Sequence, residues 1–328
     1  MRAEYDTLLI GASFFGYAKE IKAALERRGH RVAWFEDRPS LDTATKILIR
    51  VAPRVISGRS EKYFDKILHE LLCHPIERVF VIKGEALSVK SIHNFRLAFP
   101  KADFRLFFWD SYRNMPPDSV KKVSLFDRAF SSDPVDASSD PRLNYRPLFY
   151  LPQFFNTPEF EKDIDFLFVG TVHGDRFEVL ERIKNAIPRG SRFVRFMYYP
   201  SRHLYYVKRF IRPIYWSSDP REFIFVPIET SQLLSLLGRT KIVIDIERTV
   251  QTGFTMRPIE MMAARRKIIT TSTRIVDADF YRPSNALVID RRNPVIPKEF
   301  LDTKFEALPA HVMYKYSLDT WVDEVFIR

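Results

Sequence analysis

Cysteine is almost missing from this chain: Cys73 stands alone among 328 residues. A single thiol excludes a disulfide framework and any cysteine-built zinc site, and it fits a reducing compartment. Long apolar runs are missing as well. No uninterrupted stretch approaches the ~20 residues that a bilayer-crossing helix needs. Met1-Arg2-Ala3-Glu4 brings an acid early, and the run from Thr7 to Ala12 is too short for the apolar core of a secretion signal. The seven histidines are scattered, and none joins Asp or Glu at metal-ligand spacing. There is no repeat of solenoid length and no low-complexity tract. The dinucleotide fingerprint Gly-x-Gly-x-x-Gly does not follow the first strand. These absences describe a cytoplasmic chain, soluble or attached to a membrane from one side.

What is present is a large core. Apolar residues make up 46% and aromatics 14%, which excludes a disordered chain. At ~100–200 residues per domain, the length suggests two domains. The net charge of +11 and pI of about 9.6 favour an anionic partner: nucleic acid, a lipid surface or a phosphorylated small molecule. Known nucleic-acid motifs are missing, so charge alone supports a nucleic-acid binder.

Short apolar runs alternate with helical patterns. Leu8-Leu9-Ile10, Arg31–Phe35, Val79–Ile82, Phe104–Phe108 and Arg128–Ser131 read as strands, with a helix over Ala18–Arg28 closed by Gly29. The pattern restarts at Asp165–Val169 and continues through Phe193–Phe196, Phe223–Val226, Lys241–Asp245, Lys267–Thr271 and Leu287–Ile289. Helices are expected over Asp175–Ala186, Ser231–Gly238, Met256–Arg265 and Ser317–Phe326. Strand–helix–strand units of this length build parallel sheets covered by helices on both faces. The expectation is an α/β chain of two doubly wound, Rossmann-like halves: 1–155, 156–312, and a final helix in 313–328. Open sheets of this kind bind ligands at the carboxyl ends of their strands.

The candidate site residues sit at those ends. After the first strand, Gly11-Ala12-Ser13-Phe14-Phe15-Gly16-Tyr17 offers a tight turn, and Phe15 and Tyr17 could stack on a sugar; an ordinary strand-to-helix turn reads equally well. Gly170-Thr171-Val172-His173-Gly174-Asp175-Arg176 holds the matching place in the second half. Amides at a helix start suit a phosphate, Thr171 can donate to it and Arg176 can neutralise it, while His173 can also be a surface residue. Gln251-Thr252-Gly253-Phe254-Thr255-Met256-Arg257-Pro258-Ile259-Glu260 follows another strand and opens a helix, with Thr255 at the N-cap. Arg257 in a first helical turn opposes the helix dipole and makes sense beside a diphosphate. Glu260 could take both hydroxyls of a ribose; the alternative is a loose capping box, one residue too long. Lys83-Gly84-Glu85 and Trp109-Asp110-Ser111 place carboxylates at strand ends, where a general base or a helix cap would stand. Asp163-Ile164-Asp165 and Asp277-Ala278-Asp279 look like metal pairs but read as structural.

Taken together, the turn at 11–17 and the segments at 168–176 and 251–260 resemble bacterial CgeB-like glycosyltransferases of the lipopolysaccharide or capsule type. Arg266–Thr271, Asp279-Phe280-Tyr281, Lys83-Gly84-Glu85, Trp109-Asp110-Ser111 and Asp133–Ala137 carry the same resemblance. It implies a GT-B fold, with the nucleotide-sugar on the C-terminal domain, the acceptor on the N-terminal domain and the last helix crossing back. It also implies no bound metal and no cofactor beyond the nucleotide-sugar substrate. Many such enzymes pair two glutamates eight apart; here Thr252 stands eight before Glu260, so that pattern does not transfer whole.

The resulting expectation is a metal-independent transferase moving a sugar to a saccharide or glycolipid acceptor in surface polysaccharide synthesis. Gly170, Thr171, His173, Arg176, Gln251, Thr252, Gly253, Thr255, Arg257 and Glu260 would hold the donor. Phe15, Gly16, Tyr17, Lys83 and Trp109 would hold the acceptor. Asp110, or else Glu85, would be the base. The rival is a non-catalytic sugar- or nucleotide-binding protein on the same scaffold. Residues 192–216 hold Arg192, Arg195, Arg202, Lys208, Arg209 and Arg212, many aromatics and no acid. They are expected to attach the protein, by charge, to the anionic inner face of the cytoplasmic membrane.

Overall fold

A computed structural model describes residues 4–13, 16–42, 45, 49, 53–116, 118–199, 201–216, 218–247 and 253–327. The chain forms two compact units. The first is Met1–Leu151 with Val250–Phe254 and Lys315–Arg328; the second is Pro152–Thr249 with Thr255–Tyr314.

In the first unit, β1 (Thr7–Ile10), β2 (Val32–Phe35), β3 (Arg78–Ile82), β4 (Asp103–Phe108), β5 (Arg128–Ser131) and β6 (Leu143–Tyr145) form one sheet in the order β2-β1-β3-β4-β5-β6. Every pairing is parallel. Side chains alternate across the sheet with the strand period of two. Leu8, Ile10, Val79, Val81, Phe104, Leu106 and Phe108 fill one core with Phe64, Ile67 and Leu71 of the helix Pro53–Leu71. On the other face, the rings of Phe80 and Phe107 lie 5.9 and 4.7 Å from Trp321. Trp321 belongs to the helix Leu318–Val322, which runs into a wider turn over Asp323–Ile327. Arg28 bonds Asp323 and Asp319 there, and Arg105 donates to the Val325 carbonyl.

In the second unit, β7 (Ile164–Thr171), β8 (Phe193–Tyr198), β9 (Phe223–Ile224), β10 (Thr240–Asp245), β11 (Lys267–Thr270) and β12 (Ala286–Val288) pair in the order β12-β11-β10-β7-β8-β9. All of these pairings are parallel too. Phe166, Phe168, Ile242 and Ile244 pack on Val179, Leu180 and Ile183 of the helix Arg176–Ala186.

Both sheets are doubly wound, as the alternation predicts. Chain direction around the sheet reverses between β1 and β3 in the first unit and between β7 and β10 in the second. Loops on either side of such a reversal diverge and leave a crevice at the strand ends. Reversal points, more than sequence motifs, locate the candidate sites.

Candidate functional site

In the second unit, arginines converge on the reversal between β7 and β10. Arg176 opens its helix and donates Nε to the Ile246 carbonyl at 2.6 Å and Nη1 to the Thr171 carbonyl at 2.9 Å. Arg257 donates Nη2 to the Val169 carbonyl at 3.2 Å. Both charges face Asp245, the last residue of β10, which accepts the Thr270 hydroxyl at 3.1 Å. Burial pushes the Asp245 carboxyl up, and the two guanidiniums pull it back. Glu247 behaves alike: burial raises it, opposed by the Ser272 hydroxyl and Arg291.

Arg291 went unnoticed in the sequence. It holds Asp175 through Nε at 3.2 Å and Nη2 at 2.6 Å, and its Nη1 reaches the Thr271 hydroxyl at 2.9 Å. Its signal was positional, three residues past the end of β12. Asp175 therefore serves Arg291 and does not cap its helix. Thr255 occupies the N-cap position of the helix Met256–Ala263, yet its side chain makes no capping bond. Glu260 is buried one turn in. Gly170 and Thr171 end β7, and His173 lies in the turn that follows. Gln251, Thr252 and Phe15 lie outside the described residues. Gly253 groups with the first unit, where a Cβ would stand 2.9 Å from the Ser132 carbonyl oxygen and 3.1 Å from the Asp133 Cα. Both neighbours are backbone, so the position needs a glycine.

In the first unit, charges collect at the reversal beside β3. Lys83 and Gly84 both take the left-handed backbone region, with φ of 67° and 61°, which turns the chain sharply out of the strand. A Cβ on Gly84 would meet Val81 Cγ1 at 2.8 Å, so this second position is also restricted to glycine. Lys83 Nζ sits 2.5 Å from Asp110 Oδ2 and 3.9 Å from Glu85 Oε1. Arg38 holds Asp37 through two bonds of 2.7 and 3.1 Å and stands 3.6 Å from Glu85. Glu85 is enclosed in this ionic group, whereas Asp110 keeps 24% of its side chain exposed. Of the two candidate bases, Asp110 is the more exposed.

The aromatic platforms correct the sequence reading. Tyr17 and Trp109 are buried, their rings 5.4 Å apart, and Trp109 also neighbours Phe107, Phe149 and Trp321. They build the core, because the final segment covers that face of the sheet. Gly16 begins the helix Tyr17–Glu26. Asp133 caps the helix Pro134–Ser139, accepting from the amides of Val135 and Asp136 and from the Ser111 hydroxyl.

Sequence reading missed a cavity of about 350 Å³ in the first unit, lined by Ser57, Ser60, Glu85, Leu87, Ser88 and Lys122 among others. Ser60 is 2% exposed, and its hydroxyl has no hydrogen-bond partner. Lys122 donates to the Gly84 carbonyl at 3.1 Å, and burial pushes its ammonium down to about 8. A lysine lowered from 10.5 carries its full folding cost below pH ~8 and sheds it as pH rises toward ~10.5. The span corresponds to roughly 3 kcal/mol. The stability of the wild type relative to Lys122→Met is expected to rise between pH 8 and 10; parallel melting curves would refute a buried charge.

Asp163 and Asp165 serve as structural ion-pair partners, Asp163 with Arg192 and Arg239 and Asp165 with Lys241. No His, Cys, Asp and Glu group able to hold a metal occurs among the described residues. Four of the six bases of 192–216 have partners within the protein. Arg195 is buried between Glu181 and Glu222, Arg192 meets Asp163 and Arg212 meets Glu178. Arg209 turns inward onto the Tyr205 hydroxyl and the carbonyls of Tyr215 and Ser218.

No family model matches the chain, and no curated protein matches it. Solved structures do. The sucrose-phosphate synthase of Thermosynechococcus elongatus superposes with a TM-score of 0.66 at 9% identity, covering 98% of both chains. A glycosyltransferase of Rickettsia africae gives 0.59 at 13% identity over 98% of this chain and 96% of its own. Anabaena HepE, solved with UDP and glucose, gives 0.59 at 9% identity over 98% and 99%. The chain has the GT-B fold.

Proposed function

We propose that this chain is a glycosyltransferase that moves a sugar from a nucleotide-sugar to a saccharide or glycolipid acceptor. The observation that carries this reading is the convergence of Arg176, Arg257 and Arg291 on the reversal point of the second sheet. Glycosyl transfer builds negative charge on a departing diphosphate, and fixed donors at that place lower the barrier. Guanidiniums can supply the positive charge, so the reading includes no metal. Arg257 is the best placed to contact the diphosphate: it bonds one carbonyl and lies in a helix start that no threonine caps. The acceptor then belongs to the first unit, at Lys83, Asp110 and the cavity of Ser60 and Lys122. Hydroxyl, ammonium and carboxylate groups beside Leu87 suit a sugar ring with polar edges and an apolar face.

The solved neighbours include sucrose-phosphate synthase and a UDP complex, which supports a nucleotide-sugar donor for this chain as well. The motif resemblance supports the finer assignment to surface polysaccharide synthesis of the CgeB-like kind, with the protein peripheral on the inner face of the cytoplasmic membrane. No helix among the described residues is long and apolar enough to cross a membrane.

Calorimetry with UDP tests the donor site. Arg257→Ala is expected to weaken binding by about 1.5–3 kcal/mol, the worth of a hydrogen bond to a charged group. Unchanged affinity in a folded variant would move the diphosphate elsewhere. A protein that binds UDP tightly and turns over no nucleotide-sugar would instead be the non-catalytic binder.

A further inference from the structure

The helix Arg202–Ile211 has a face that nothing among the described residues covers. Tyr206, Val207, Phe210 and Ile211 are exposed to 60, 54, 85 and 67%. Residues one, four and five apart on a helix share a broad stripe, so these four make one apolar surface. Trp216 extends it, 62% exposed, with its indole N–H donating to the Arg209 carbonyl at 2.6 Å. The surface is held rigidly from beneath. Tyr205 is buried, its ring 4.4 Å from Phe223, and the Arg209 guanidinium ties the helix to Tyr215 and Ser218. Contiguous exposed apolar surface of this kind marks a contact site.

We propose that this face inserts into an anionic lipid surface, with Phe210 and Ile211 below the headgroups and Trp216 at their level. The inference rests on the peripheral-membrane part of the proposed function and deepens it by naming the surface and the force. Charge at the rim selects the partner. Arg202 and Lys208 flank the face, and no acid occurs from 192 to 216. Pairing with a second copy through this face would set one cationic rim beside another. Anionic headgroups complement them, and tryptophan and tyrosine favour the headgroup level, where one edge of the ring stays wet. The force is mainly apolar, because Arg195 is buried, Arg209 turns inward, and Arg192 and Arg212 are each paired with a carboxylate of the protein.

Flotation of the whole chain with vesicles of phosphatidylcholine plus phosphatidylglycerol tests this. The wild type is expected to float and to stay bound at ~1 M salt, where screening reaches about 3 Å. Phe210→Ser with Trp216→Ser is expected to lower partitioning by about 10–100-fold per residue. UDP affinity should not change, since neither side chain touches the donor site. Salt-labile binding, equal flotation of the folded double variant, or no flotation of the wild type would overturn the inference. So would a lipid-free wild-type dimer that the same double variant dissociates, since the face would then belong to a second copy. Loss of UDP binding with flotation intact would strike the transferase reading alone.

Discussion

Asp110→Asn is expected to lower turnover of a nucleotide-sugar by ~10²–10⁴-fold, the usual contribution of a general base. The residue stands just past the carboxyl end of β4, in the acceptor unit, with 24% of its side chain open. Lys83 Nζ at 2.5 Å aims the carboxylate. Lys83 is itself fixed by the left-handed turn it shares with Gly84, so the pair is set by backbone. A base needs to be oriented and reachable; Glu85, with its side chain enclosed, is the less exposed of the two candidates. The substitution keeps the shape of the side chain and removes its ability to take a proton. UDP affinity should stay at the wild-type value, since the guanidiniums that would bind diphosphate lie in the other unit. Turnover near wild type would reject the role, and retention of configuration at the anomeric carbon would remove the need for a base.

Strand ends were legible because apolar runs of four to six residues stop abruptly at Gly or charge. Ile82 before Lys83-Gly84-Glu85 and Phe108 before Trp109-Asp110 are cases of this. The edge strand Leu143–Tyr145 escaped notice because only Leu143 is buried, leaving no alternating pattern to read. Period and spacing report local structure, and they do not show what covers a face. Trp109 and Tyr17 looked like open platforms because the segment that buries them lies at the far end of the chain. The bases of 192–216 looked like one patch for a similar reason. Arg195 points inward between Glu181 and Glu222, partners on other elements. Glu247 and Arg291 come together only because β10 and β12 lie two strands apart in one sheet. The Ser60 cavity forms between a helix and turns remote in sequence, so no motif could announce it.

Trp321→Ala is expected to destabilise the first unit by about 3–5 kcal/mol, the cost of emptying a buried large aromatic site. Trp321 is fully buried, with ring neighbours at 4.7 Å (Phe107), 4.8 Å (Phe149), 5.9 Å (Phe80) and 6.5 Å (Trp109). Those rings belong to β3, to β4 or the residue just after it, and to the stretch after β6. One side chain therefore joins the sheet to the last segment of the chain. Polar bonds fix the same segment at its edges, through Arg28 to Asp319 and Asp323 and through Arg146 to Glu324. The Arg28 pairs are partly exposed and each contributes little, about 0–1 kcal/mol for surface geometry, whereas Arg146 is buried. The ring carries the attachment. Its indole N–H, however, has no hydrogen-bond partner, and an unsatisfied buried donor costs about 1–3 kcal/mol. Trp321→Phe loses volume but removes that donor, so the two effects oppose and the variant should melt much nearer the wild type than alanine does. Calorimetric melting of the three proteins checks the order. An alanine variant that melts with the wild type would show the final segment to be peripheral. A phenylalanine variant as unstable as alanine would show that the indole N–H is satisfied in solution and that the whole ring is required.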